Sequence, residues 1–141
     1  MAVESPRRQY TAVDTSRLAS FPVFASLPDD ALGALADSAT EVGADPGATI
    51  VTKGDFGYAL YLVEEGEADV HVDGDVASNT FGPGDSFGEI AMLVSGRWTA
   101  EVVARTPMRL ISLFERDVRQ ACVRVPELES ARRSIASERL A

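Results

Sequence analysis

Gly66-Glu67-Ala68-Asp69-Val70-His71-Val72-Asp73-Gly74 is the stretch on which the fold turns. Ala68, Val70 and Val72 alternate with Glu67, Asp69 and His71. A period of two sends successive side chains to opposite faces of a strand, so the stretch predicts a strand with one buried and one wet face. Asp73-Gly74 has the chemistry of a two-residue hairpin turn and predicts a partner strand directly after it. Outward from this hairpin, from Glu41 to Phe114, short apolar stretches are punctuated by Gly54, Gly57, Gly66, Gly74, Gly82 and Gly84. Glycines at these intervals read as turns between short strands, hence an antiparallel sandwich or barrel.

The flanks have a different period. From about Asp14 to Thr40 the pattern is helical: Ser26-Leu27-Pro28-Asp29 resembles a capping box, and Leu32, Leu35, Ala36 and Ala39 then share one face. Phe21, Val23 and Phe24 are expected packing anchors. After Phe114, Val118, Ala121, Cys122 and Val125 recur at i, i+3, i+4 and i+7, a helix whose buried stripe includes the only cysteine. Pro126 breaks that helix, and residues 127–141 can form a second, more polar one with a thin stripe of Leu128, Ala131 and Ile135. That stripe makes no strong coiled-coil seam, so a monomer or weak dimer is expected. Met1 to Val13 is polar and aperiodic and is expected to be a disordered arm. The predicted organisation is therefore an arm over 1–13 and a single domain over 14–141. That domain divides into a helical lead-in (14–40), a barrel (41–114) and C-terminal helices (115–141). The fold class is mainly β with flanking helices, a double-stranded β-helix (jelly-roll) barrel.

Composition limits the function. A chain of 141 residues, 45% of them apolar, can bury one sizeable core. Twenty-two acidic residues against 13 Lys plus Arg give a net charge of −9, which repels nucleic-acid phosphates and anionic lipid heads. A single Cys122 allows no internal disulfide, and the N-terminus has no apolar stretch resembling a signal peptide, so a cytoplasmic location is expected. No run is long and apolar enough to insert directly into a membrane. Metal enzymes on jelly-roll barrels need two or three His; this chain has only His71, on the wet face of its strand. No nucleophile and base pair is evident, so neither catalytic residues nor a metal or cofactor is expected and the chain reads as a non-enzyme.

One segment exceeds what a plain barrel needs. It runs Phe81-Gly82-Pro83-Gly84-Asp85-Ser86-Phe87-Gly88-Glu89-Ile90-Ala91-Met92-Leu93, then Gly96-Arg97-Trp98-Thr99-Ala100-Glu101-Val102-Val103-Ala104. Gly84 and Gly88 permit a tight backbone, and Glu89 to Leu93 can make one helical turn whose free N–H groups face an anion. Glu89 could accept hydrogen bonds from sugar hydroxyls. Thr99-Ala100 can offer a hydroxyl and an N–H from the opposite wall. Asp85 reads as a turn residue.

These residues resemble the phosphate-binding cassette of the cyclic nucleotide-binding domain family, approximately F-G-E-[LI]-A-x-x and, a few residues on, P-R-[TSA]-A-x-V. Phe87-Gly88-Glu89-Ile90-Ala91 carries the specific part. Gly54-Asp55, Leu60-Tyr61-Leu62-Val63 and Gly66-Glu67-Ala68 extend the resemblance over about residues 18–128. It implies that Glu89 holds a ribose 2′-hydroxyl and that the backbone around Gly88, Ile90 and Ala91, with Thr99 and Ala100, holds the cyclic phosphate of cAMP or cGMP. It also implies that the helix of Val118 and Cys122 is a hinge or lid that signals to an unidentified protein partner. The acidic charge and the short stretch after Pro126 predict a standalone domain without a helix-turn-helix.

The sequence departs from the pattern at one place. Where the family has the arginine that clamps the phosphate, this chain has Trp98, with Arg97 one place early. Neighbouring side chains of an extended segment point to opposite faces, so both cannot enter one pocket without a bulge. Losing such a contact costs on the order of 2 to 5 kcal/mol, roughly 30-fold to several thousand-fold in dissociation constant. Three readings follow: Arg97 swings in, Trp98 stacks on a base while backbone N–H groups hold the phosphate, or the pocket is filled and the domain is a ligand-independent interaction module.

Overall fold

The computed structural model describes residues 7–9, 13–25, 27–55, 59–72, 75–87, 93–94 and 97–126. The helical lead-in consists of α1 (Thr15–Ala19), a 3₁₀ turn (Pro22–Phe24) and α2 (Asp29–Ser38). Asp14 caps α1: its Oδ1 accepts from the Arg17 N–H at 3.0 Å and from the Ser16 hydroxyl at 2.6 Å. These bonds to the ionised form hold its carboxyl below the usual range. At α2 the expected capping box gives way to Pro28, which has no side-chain cap bond; Ser26 lies outside the described residues. Asp29 and Asp30 in the first turn supply the negative charge that the helix start favours.

The strands form two antiparallel sheets. One has the order β1-β2-β11-β4-β7, with β1 (Arg7–Gln9), β2 (Thr40–Ala44), β4 (Ala59–Glu65), β7 (Ser86–Phe87) and β11 (Met108–Phe114). The other has the order β3-β10-β5-β6, with β3 (Thr49–Val51), β5 (Ala68–Val72), β6 (Asp75–Phe81) and β10 (Glu101–Ala104). A two-stranded hairpin of β8 (Leu93–Val94) and β9 (Arg97–Trp98) is separate, and α3 (Glu115–Arg124) follows β11 without a loop. This is the expected mainly β jelly-roll architecture.

Two further expectations are corrected. Part of the arm is a strand: Arg7, Arg8 and Gln9 pair with Gly43, Val42 and Glu41. Strand β2 would otherwise expose an unpaired edge, and backbone pairing needs no apolar period. In β5, Ala68 and Val70 are buried as predicted, but Val72 is 43% exposed. Its neighbour β10 pairs only as far as His71, so Val72 stands past the end of β10, with a partner on the β6 side alone. The Asp73-Gly74 turn lies outside the described residues, although β5 and β6 on either side of it do pair.

Strands β4 and β11 are buried on both faces. Tyr61, Val63, Met108 and Leu110 point into the space between the sheets, whereas Leu60, Leu62, Ile111 and Leu113 point outward under the helices. Against them pack Leu18, Phe21, Phe24, Leu32 and Leu35 of the lead-in and Val118, Ala121 and Cys122 of α3. The β4–β5 turn depends on Gly66, which has φ +90°; a Cβ there would lie 2.2 Å from the Pro107 carbonyl oxygen.

Charge joins the lead-in to the barrel. Arg17 of α1 donates from Nε to Glu64 Oε2 at 3.0 Å and from Nη2 to Glu41 Oε1 at 2.8 Å, and Arg109 Nε donates to Glu64 at 3.2 Å. Burial pushes the Glu64 carboxyl up, but the two guanidiniums outweigh it and hold the group below its ordinary range.

Candidate ligand-binding site

The approach to the cassette is built by backbone. At the end of β6 the Gly82 N–H donates to Asp85 Oδ2 at 2.8 Å and the Asp85 N–H to the Gly82 carbonyl at 3.0 Å, so Asp85 is the turn residue expected of it. The turn is fixed to β4 by Gly84 N–H to the Val63 carbonyl and Val63 N–H to the Asp85 carbonyl, both 2.9 Å. Strand β7 then pairs Phe87 with Tyr61 and Ser86 with Leu62. Phe87 is fully buried, stacked on Tyr61 (ring centroids 5.1 Å apart) and on Phe81 (4.9 Å). The chain therefore enters the cassette from a rigid aromatic anchor inside the barrel. Gly88, Glu89, Ile90 and Ala91 lie outside the described residues. So does the predicted helical turn, apart from Leu93, which is a strand residue paired with Trp98.

The far arm of the cassette is described, and its two neighbours face opposite ways. Trp98 is 4% exposed and belongs to the core between the sheets, its ring edge-on to Phe87 at 6.3 Å. Arg97 is exposed and its Nη1 donates to the Gly54 carbonyl at 2.8 Å. Thr99 is half-buried and Ala100 is buried. The position from which the resemblance expects a guanidinium in the barrel thus carries an indole, and the guanidinium next to it lies on the outer side.

The partner of this arm is the loop after β3. The Gly54 N–H donates to the Trp98 carbonyl and the Trp98 N–H to the Asp55 carbonyl, both at 2.9 Å. Gly54 has φ +91°, a conformation that suits glycine. Arg97 Nη1 on the Gly54 carbonyl adds a further hydrogen bond between β9 and this loop. Gly54-Asp55 was visible in the sequence as part of the resemblance, but its bonds to Trp98 were not, because they join segments far apart in the chain.

No group of three or more His, Cys, Asp or Glu among the described residues is placed to hold a metal ion. His71 is half-buried in β5. No helix among the described residues is long and apolar enough to cross a membrane.

Residues 41–124 match the profile of the cyclic nucleotide-binding domain. The chain belongs to that family. Of the curated relatives, the cAMP-dependent protein kinase regulatory subunit of Colletotrichum orbiculare is 36% identical over 97 residues, 68% of this chain and 25% of that protein. The chain thus spans about a quarter of the length of the curated relatives it matches. Among solved structures, the regulatory domain of Toxoplasma gondii protein kinase A with cAMP has a TM-score of 0.70 at 26% identity, covering 85% of this chain and 48% of that one. The regulatory subunit of a cAMP-independent protein kinase A from Trypanosoma brucei has a TM-score of 0.69 at 29% identity, covering 80% and 43%. The two antiparallel sheets are the jelly roll shared with these structures, and α3 follows the last strand directly.

Proposed function

We propose that the chain is a non-catalytic regulatory domain that admits a purine cyclic monophosphate, cAMP or cGMP, without an arginine on the phosphate. It then signals to a protein partner through α3. Gly88, Glu89, Ile90, Ala91, Thr99 and Ala100 hold the sugar and the phosphate. Arg97 serves the hairpin and Trp98 lines the barrel. The observation that carries the reading is the opposed placement of neighbours 97 and 98, buried indole and outward guanidinium. Backbone N–H groups still attract an anion, but a missing charge-assisted bond costs about 2 to 5 kcal/mol. A micromolar ligand would then bind at roughly 30 micromolar to beyond a millimolar. The relatives support both halves of the reading. One similar regulatory domain is described with cAMP and another belongs to a cAMP-independent kinase.

The burial of Trp98 among Phe87 and the rest of the inner core favours a second reading, a filled barrel that acts only as an interaction module. Calorimetric titration of the wild type and Arg97→Ala with cAMP and cGMP separates the two. Weak binding that Arg97→Ala leaves unchanged supports the sensor. No heat up to about 20 millimolar ligand, beyond the weak end of that range, leaves the module. Micromolar binding that Arg97→Ala abolishes would contradict both, because it would put Arg97 on the phosphate.

A further inference from the structure

Among the described residues the exposed large apolar side chains are Val72, Phe114 and Val123, and of these Phe114 is the aromatic one, 52% exposed. Register fixes its face. In β11, Leu110 belongs to the core between the sheets, and Ile111 and Leu113 belong to the core under the helices. Alternation therefore returns Phe114 to the inner side. Ala59, its partner in β4, packs against the same inner core. Ala59 is too small to cover a ring, and β2 ends at Thr40, opposite Ser112, so it has no residue opposite Phe114. The ring does nothing for the helix that follows. Phe114 is the N-cap residue of α3 and makes no side-chain cap bond, where a Ser, Thr, Asp or Asn would accept from the free N–H groups.

The end of the sheet where Phe114 stands is the one toward which the cassette departs. Ser112 pairs with Tyr61 and Tyr61 with Phe87, so these three form one row across β11, β4 and β7. Phe114 and Ala59 belong to the inner face just beyond that row. Because β7 runs antiparallel to β4, the chain leaving Phe87 heads in the direction from Tyr61 to Ala59. The ring is also firmly placed, since Leu113 before it is fully buried and α3 begins directly after it.

We infer that Phe114 is a ligand-contact residue of the candidate site, a stacking surface for the base of the cyclic nucleotide that makes the domain prefer purine to pyrimidine cyclic monophosphates. This rests on the sensor reading above. A half-exposed ring gains from being covered by something flat and apolar, and a base covers it with one face while its edge stays hydrated. A purine covers more of it than a pyrimidine does, so the contact discriminates by area. Stacking also needs no charge, which suits a site whose guanidinium faces outward.

Calorimetric titration of the full chain, of Phe114→Ala and of Phe114→Trp with cAMP and with cyclic CMP, each to about 20 millimolar, tests the inference. The wild type is expected to bind cAMP more tightly than cyclic CMP. Phe114→Ala should weaken cAMP by about fivefold or more and narrow the gap between the two ligands. Phe114→Trp should keep the preference. The thermal transition should move little in either variant, because the ring is half-exposed and neither replacement caps α3 any better or worse. A wild type that binds cAMP no more tightly than cyclic CMP overturns the inference and leaves the sensor reading standing. So does Phe114→Ala with unchanged affinity for cAMP, or Phe114→Trp without the preference. A wild type that gives no heat with either ligand overturns both.

Discussion

Strands β4 and β11 separate two cores that differ in what a substitution can reach. The inner core, between the sheets, is centred on aromatic rings: Phe87 stacks on Tyr61 and Phe81 and meets Trp98 edge-on. The outer core is mostly aliphatic and holds the helices, with Phe24, Leu18 and Leu35 against Leu62 and Leu113. Both are close to fully buried, so energetically they are alike. Functionally they are not, because the inner core runs directly into the cassette through Phe87 and closes it again through Trp98.

The largest effects should separate the two cores. Phe87→Ala and Phe24→Ala both remove a ring with no exposure, and each should cost about 3 to 5 kcal/mol in denaturant unfolding. Only Phe87→Ala should also alter the titration with cyclic nucleotide. An equal change from both would erase the distinction.

Glu64 comes next. It takes bonds from Arg17 and Arg109, so Glu64→Gln should cost about 1 to 3 kcal/mol at neutral pH. Its folded carboxyl titrates below the ordinary 4.5, so its contribution is present above that value and is lost as pH falls through the lowered one. The gap in melting temperature between wild type and Glu64→Gln should therefore narrow below about pH 4.5. A gap that is independent of pH would show that the ion pairs contribute nothing. The smallest effect is expected from Arg97→Ala, because Arg97 is exposed and its bond to the Gly54 carbonyl is a surface one; the cost should be about 1 kcal/mol or less.

Much of this was legible from residue patterns, and the exceptions have physical causes. The Ala68–Val70 alternation, the Phe21 and Phe24 anchors and the Val118, Ala121 and Cys122 stripe are local periodicities, and each is buried as read. The side chain of Val23 lies outside the described ones. The pairing of Arg7–Gln9 was not legible, because an edge strand held by backbone bonds needs no side-chain pattern. The cap at Pro28 was misread because a capping box is only a spacing, which other charges in the first turn can replace. In the candidate site, the opposite facing of Arg97 and Trp98 followed from strand alternation alone. Their attachment to Gly54 and Asp55 did not, because it is a contact between distant segments.

The central claim is that Trp98 stands inside the barrel where a phosphate clamp would be. The most direct test is calorimetric titration of Trp98→Arg with cAMP beside the wild type. The account predicts that the variant binds at least about 30-fold more tightly. Without ligand it should melt at lower temperature, since a charge then replaces a buried indole. An affinity unchanged by Trp98→Arg, with the variant folded, would contradict it.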